Sequence, residues 1–194
     1  SEITALTLDM SQAGAATFGG NLTVEGADVT VTANIKHAGD TDTFYGFHGN
    51  NLYRVVTGGV ERFEVSDSGI IINDGSEDYD FRVESNNNAN MLFVDGGNDV
   101  VGIAQSSPSS YNSSFNDLVV GASGATGITV VSGTSNAGTL AFADGTSGDA
   151  AYRGFIQYNH STDGLAFGTS GVTVFNIASD GSLSTPTSGT SNVR

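Results

Sequence analysis

The sequence has no cysteine and no tryptophan, only two prolines, and only six basic side chains against 21 acidic ones. Each shortage removes a class of protein. Without cysteine there is neither a disulfide framework nor a thiolate metal site. The net charge of −15 repels nucleic-acid phosphates and the anionic face of membranes, and it favours solubility. No nucleic-acid partner and no membrane insertion are therefore expected. No run of 18 apolar residues occurs, so no segment reads as a spanning helix. No basic stretch followed by an apolar one opens the chain, and no secretory leader is expected.

Large aliphatic and aromatic side chains are also scarce. Leu, Ile, Val and Phe make up about 24% of the 194 residues, a little above the roughly 20% below which charged chains stay disordered. Gly, Ser, Thr, Asn and Asp fill most of the rest. Disorder is nevertheless the weaker reading, because Val, Phe and Tyr recur in regular clusters. The composition fits many short strands whose apolar faces are completed by neighbouring copies, since a lone chain of this kind buries too little to offset its conformational entropy. The expected fold is all-β, an elongated homotrimeric fibre of short strands and β-hairpins with little helix.

Alternating apolar residues predict strands at Leu22–Val24, Val29–Val31, Phe63–Val65, Ile70–Ile72, Phe81–Val83, Leu92–Val94, Val100–Val101, Ile128–Val131, Leu140–Phe142, Phe155–Tyr158, Leu165–Phe167 and Val172–Ile177. Turns rich in Asp, Ser and Gly separate them. A strand–turn–strand unit recurs at Phe63–Ile72, Leu92–Ile103 and Phe175–Leu183, and more loosely at Leu22–Val31. Within these turns Gly69, Gly97 and Gly181 are expected at positive φ. One helical signal stands apart: Ser107 as N-cap, Pro108 at the first helical position, and Tyr111, Phe115 and Leu118 on one face. Residues 1–104 read as one fibre segment, 105–116 as a Ser/Asn-rich connector, 117–186 as a second β-rich segment, and 187–194 as a linker to a further region.

Catalytic patterns are weak. The three histidines, His37, His48 and His160, stand in no nucleophile motif, and Gly-x-Ser-x-Gly is absent. Glu61, Glu64, Asp78 and Asp80 offer the carboxylate pairs that glycoside hydrolysis requires, but in a sequence without the tryptophan that commonly stacks on sugar. Asp74, Ser76, Glu77, Asp78 and Asp80 crowd one loop with the hard oxygens that calcium prefers, without EF-hand spacing. Asp40 and Asp42 form a lesser group. The glycine pairs Gly19–Gly20, Gly58–Gly59 and Gly96–Gly97 lack the Lys-Ser/Thr and helix of a phosphate loop, and read as turns and bulges. Phe44, Tyr45, Phe47 and Tyr53 gather near His48, as a packed core or else as a stacking surface. No catalytic, cofactor-binding or metal-binding residue is assigned, no cofactor is expected, and the chain reads as a non-enzyme.

Several phrases of the chain, covering about half of it, resemble tail-fibre proteins of marine tailed bacteriophages. They are Leu6-Thr7-Leu8-Asp9-Met10-Ser11 with Ala13-Gly14-Ala15-Ala16-Thr17-Phe18, Met91-Leu92-Phe93-Val94-Asp95, Val101-Gly102-Ile103 up to Ser106-Ser107-Pro108, Phe142-Ala143-Asp144-Gly145-Thr146, Tyr152–His160 and Leu165-Ala166-Phe167-Gly168-Thr169. Ala104-Gln105-Ser106 departs from the family's usual Gly-Thr-Ser. The resemblance implies a homotrimeric structural component of a virion appendage, a shaft or adaptor that connects the virion to a host-recognition tip and contacts other tail or baseplate proteins. The alternatives are direct binding of a host-surface glycan or protein by this segment and, further off, polysaccharide cleavage. The family's self-cleaving C-terminal chaperone domain has no counterpart in these phrases.

Overall fold

The structure is a computed structural model, and it describes residues 19–21, 23–24, 28–31, 33–121 and 123–185. It is mostly β, with three sheets and almost no helix. The chain divides into two compact units, one of residues 1–102 and 106–118, the other of 103–105 and 119–194.

The first sheet is a five-stranded antiparallel meander of β1 (Asn34–Lys36), β2 (Phe44–Gly49), β3 (Leu52–Thr57), β4 (Val60–Ser66) and β5 (Gly69–Ile72), paired in chain order. Short polar turns make this order the cheapest one. Asn50–Asn51, Gly58–Gly59 and Asp67–Ser68 are two-residue loops. Both glycines of the middle loop have positive φ, 59° and 75°, the backbone that a tight hairpin with matching twist requires. Because strand neighbours share a face, the register sorts the side chains. Ile35, Tyr45, Val55, Phe63 and Ile72 form one row, and Phe47, Tyr53, Val65 and Ile70 continue it. The other face carries Lys36, Phe44, Arg54, Val56, Glu61 and Glu64.

The third sheet repeats this plan with β10 (Ala137–Phe142), β11 (Gly154–Asn159), β12 (Gly164–Thr169), β13 (Val172–Ile177) and β14 (Leu183–Ser184). Leu140, Ile156, Phe167 and Phe175 are register partners across four strands, and Tyr158, Leu165, Ile177 and Leu183 form the next row of the same face. Thr139, Gln157, Ala166, Asn176 and Ser184 line the opposite one. Both meanders thus have one apolar face free of charge, while the reverse face mixes the charges of the first sheet with Phe44, Val56 and Ile71, and the polar residues of the third with Phe155.

Between them in the chain lies a four-stranded sheet of β6 (Phe81–Val83), β7 (Leu92–Asp95), β8 (Val100–Ile103) and β9 (Leu118–Val120). Phe93 and Val100 are buried here, and Pro108 is fully buried. The buried Asp95 carboxylate accepts bonds from the Asn98 backbone N–H at 3.1 Å and from Asn98 Nδ2 at 2.8 and 3.0 Å. It thereby fixes the turn between β7 and β8.

The recurring units predicted at Phe63–Ile72, Leu92–Ile103 and Phe175–Leu183 are all antiparallel hairpins or neighbouring strand pairs. Other expectations fail. Val29–Val31 and Ile128–Val131 alternate but form no strand pairing among the described residues; Leu22 lies outside them. A helical turn does begin at Pro108, as the sequence leads one to expect, but it is a single 3-10 turn, Pro108–Ser110, without a cap bond from the Ser107 side chain. Tyr111 and Phe115 point to solvent, and Leu118 opens β9 instead of completing a helical face. Gly69 and Gly181 have positive φ, 141° and 80°, but Gly97 does not; the left-handed residue of its turn is Asp99, at 57°.

Candidate functional site

Three carboxylates meet on the charged face of the first sheet. On a regular strand Glu61 and Glu64, three residues apart, would point to opposite faces. A register shift between Val55 and Val56 prevents this: Val55 faces Phe63 and Val56 faces Glu61, so β4 carries one extra residue. Such a bulge re-aims side chains, and here it turns both glutamates the same way. Asp74, just beyond β5, joins them, and one oxygen from each lies within 4.8 Å of the others.

Their counter-charge is built in. Arg54 stands directly across the sheet from Glu64, and its Nη1 donates to Glu61 Oε2 at 3.3 Å. Its guanidinium carbon lies 5.2 Å from the centre of the Phe44 ring, a cation–π arrangement. The Arg54 and Glu61 side chains are only 21% and 19% exposed, so this pair is less screened than a surface ion pair. Val56, 3% exposed, lies on the same face. The cluster's oxygens are of the type a hard cation takes, but the cation it holds is the Arg54 guanidinium.

The acidic loop is divided, not gathered into one cup. Asp74 goes to the glutamates. Asn73 ties down the next turn: its Nδ2 donates to the Glu77 carbonyl at 2.7 Å, and its Oδ1 accepts from the Glu77 N–H at 3.2 Å. Asp78 and Asp80 turn to the β7–β8 turn, where Asp80 Oδ1 accepts from the Gly96 N–H at 3.3 Å and the Asp78 carboxylate lies against Gly97. Among the described residues, Glu61, Glu64 and Asp74 are the one group of three such side chains close enough to share an ion.

The histidines are dispersed. His37 follows β1, His48 sits in a β2 irregularity, and His160 packs edge-on against Tyr158 at 5.0 Å. All three are exposed, and among the described residues none is hydrogen-bonded to a carboxylate. The aromatic group near His48 also splits. Tyr45, Phe47 and Tyr53 share the apolar face, with Phe47 and Tyr53 edge to face at 6.0 Å, while Phe44 turns to the charged face beneath Lys36 and Arg54. A depression of about 300 Å³ lies among Ile35, Lys36, Thr43, Phe44, Val55 and Val56. Asp40 and Asp42 interact with each other. The hydrogen bond from Asp42 holds the Asp40 carboxyl below the usual carboxylate range, and the same contact raises Asp42.

The bulge that gathers Glu61 and Glu64 has no signature that alternation could reveal. The Glu-Arg-Phe-Glu spacing of residues 61–64 is its one trace in the sequence. No protein-family model matches the chain, and no curated protein or solved structure matches it either.

Proposed function

We propose that this chain is a structural segment of a tailed-phage fibre, a shaft or adaptor that works as a homotrimer and connects the virion to a host-recognition tip. Its partners in this reading are its own copies and other tail or baseplate proteins, and its place is the virion outside the cell. The observation that carries the reading is the plan of the chain: one five-stranded meander, a smaller sheet, then a second five-stranded meander, each sheet built of strands that neighbour in chain order. Among the described residues only Val56, Phe93 and Val100 are buried hydrophobic residues, while aromatic and aliphatic side chains stand open on both meanders. Such modules obtain stability by completing one another's faces and not by a large core of their own. The strongly negative surface suits a solvent-exposed appendage that must stay soluble.

The test is an image of purified virions labelled with an antibody against this chain. Label on a tail or capsid appendage supports the reading; virions that carry neither label nor the chain by mass spectrometry overturn it.

A further inference from the structure

We infer that the apolar faces of the two meanders are the surfaces by which copies of this chain hold one another, so that the side chains of Tyr45, Phe47 and Ile70 in one sheet and Phe142, Ile156 and Leu183 in the other are buried between copies. The inference deepens the homotrimer reading, but it does not depend on the virion.

Exposure comes first. Ile70 is 67% exposed, Phe47 53%, Phe142 56% and Leu183 66%. Phe47, Ile70 and Leu183 are the ends of continuous apolar rows, and Phe142 lies on the same face as Leu140, across from Gly154. With large apolar and aromatic side chains offering roughly 150–250 Å² each, the exposed members leave on the order of 500 Å² open on each sheet, or about 1,000 Å² per chain. A specific interface takes roughly 800 Å² from each partner, which the two faces of one chain reach together, and each face alone is of the size, about 300–600 Å², at which the largest apolar patch of a protein is often functional.

Charge identifies the occupant. In a chain of net charge −15, β10 to β14 contain no Asp, Glu, Lys or Arg at all. The apolar rows of the first sheet contain none either, while Lys36, Arg54, Glu61 and Glu64 occupy the reverse face. A foreign partner selected by an acidic protein would be basic and would gain nothing at these rows. Another copy brings a face that is equally uncharged, so the rows can meet without the repulsion that the rest of the surface imposes. Each chain offers this construction twice, and a copy carries a matching face for each. Closed cyclic association buries every face and leaves none to propagate.

The absence of native cysteine makes the test direct. Ile156 and Gln157 are adjacent on β11 and point to opposite faces, as do the Ile72 and Glu64 rows of the first sheet. Ile156→Cys and Ile72→Cys should oxidise to covalent dimers in the full chain, whereas Gln157→Cys and Glu64→Cys should remain single chains. Light scattering should give an oligomer for the wild type, and Phe142→Glu combined with Ile70→Glu should reduce it to the single-chain mass. Equal cross-linking from both faces, no cross-linking from the apolar positions, or a wild-type mass of 19.8 kDa overturns the inference; the last result covers closure by the chain's own ends or by a foreign partner. Cross-linking from the apolar face in a chain absent from virions would leave this inference standing and remove the fibre reading alone.

Discussion

The backbone of Gly96 lies against the carbonyl oxygen of Tyr79, so that a Cβ on residue 96 would overlap it and would come within 3.0–3.2 Å of two further Tyr79 backbone atoms. The Tyr79 ring in turn lies 3.7 Å from the Arg62 guanidinium. The acidic loop is thus held between β4 and the β7–β8 turn. Gly96→Ala should cost about 1–3 kcal/mol, the usual range for overpacking against atoms that cannot move aside. Gly97→Ala should cost less, because it meets the Asp78 carboxylate, which can rotate away, and Asp78→Ala should abolish the Gly97→Ala penalty. Urea denaturation of the four variants checks the order; a greater loss at Gly97 than at Gly96 would show that the turn is arranged differently.

The small core of the middle sheet gives a second expectation. Phe93 and Val100 are buried on the two strands of one hairpin. With so few buried residues nearby, the cavity left by truncation cannot be refilled by repacking. Phe93→Ala should therefore cost about 3–5 kcal/mol, whereas Phe115→Ala, at a residue 79% exposed, should change stability by less than about 0.5 kcal/mol. A comparable drop in denaturation midpoint for both variants would contradict this placement of the core.

The strands that sequence revealed are those where alternation and turn chemistry agree. Phe63-Glu64-Val65, Asp67-Ser68-Gly69 and Ile70–Ile72 give both signals, and the hairpin of β4 and β5 is there. β2 was hidden because Phe44 and Tyr45 are adjacent aromatics on opposite faces, which breaks the apparent period. β1 shows one large apolar residue in three, too short a window for any period. Val29–Val31 and Ile128–Val131 alternate but have no strand partner among the described residues, and a strand is a relation between two segments that one segment cannot declare. Gly97 fails as a positive-φ glycine for a similar reason: its need for a missing side chain comes from Asp78, 19 positions away, and not from its own turn. The carboxylate cluster was half legible. Glu61, Glu64 and Asp74 stand out in the sequence as acidic side chains, but what unites them is a bulge that no pattern of residues announces.

Arg54 should be the most sensitive charged position. It is the cation beside three crowded carboxylates, and it is mostly buried. Arg54→Met keeps much of the packing over Phe44 but leaves the acids uncompensated. Removing one partner of a fully buried pair costs about 3–5 kcal/mol; here partial exposure reduces this to roughly 1–3 kcal/mol. Added salt should recover part of the loss by screening the acids from one another. Chemical denaturation at low and high ionic strength checks both claims. A loss independent of salt would mean that Arg54 acts through packing alone.

At the other end of the chain, Tyr158 donates its hydroxyl hydrogen to Asp163 Oδ1 at 3.2 Å across the β11–β12 turn. This hydrogen bond to the carboxylate is the main reason the phenol is raised above its ordinary value of 10.0; burial and the negative charge of Asp163 push it the same way. The sign of the linkage follows. A group whose folded value exceeds its unfolded one binds its proton more tightly when folded, so its contribution to stability is fully present below the unfolded value of about 10 and is lost as pH rises through the folded one. The turn should accordingly hold through neutral and mildly alkaline pH and loosen only in strong alkali. Asp163→Asn removes both the charge and the acceptor carboxylate, and Tyr158 should then ionise nearer the ordinary phenol range. Tyrosinate absorbance, read as the difference between each protein and its Tyr158→Phe counterpart, isolates this one titration from the other five tyrosines. If copies bury the apolar face that carries Tyr158, desolvation adds to the upward shift, and dissociating the assembly with Phe142→Glu and Ile70→Glu should bring part of it back down. Identical Tyr158 titrations with and without the Asp163 carboxylate would show that the contact across this turn does not exist in solution.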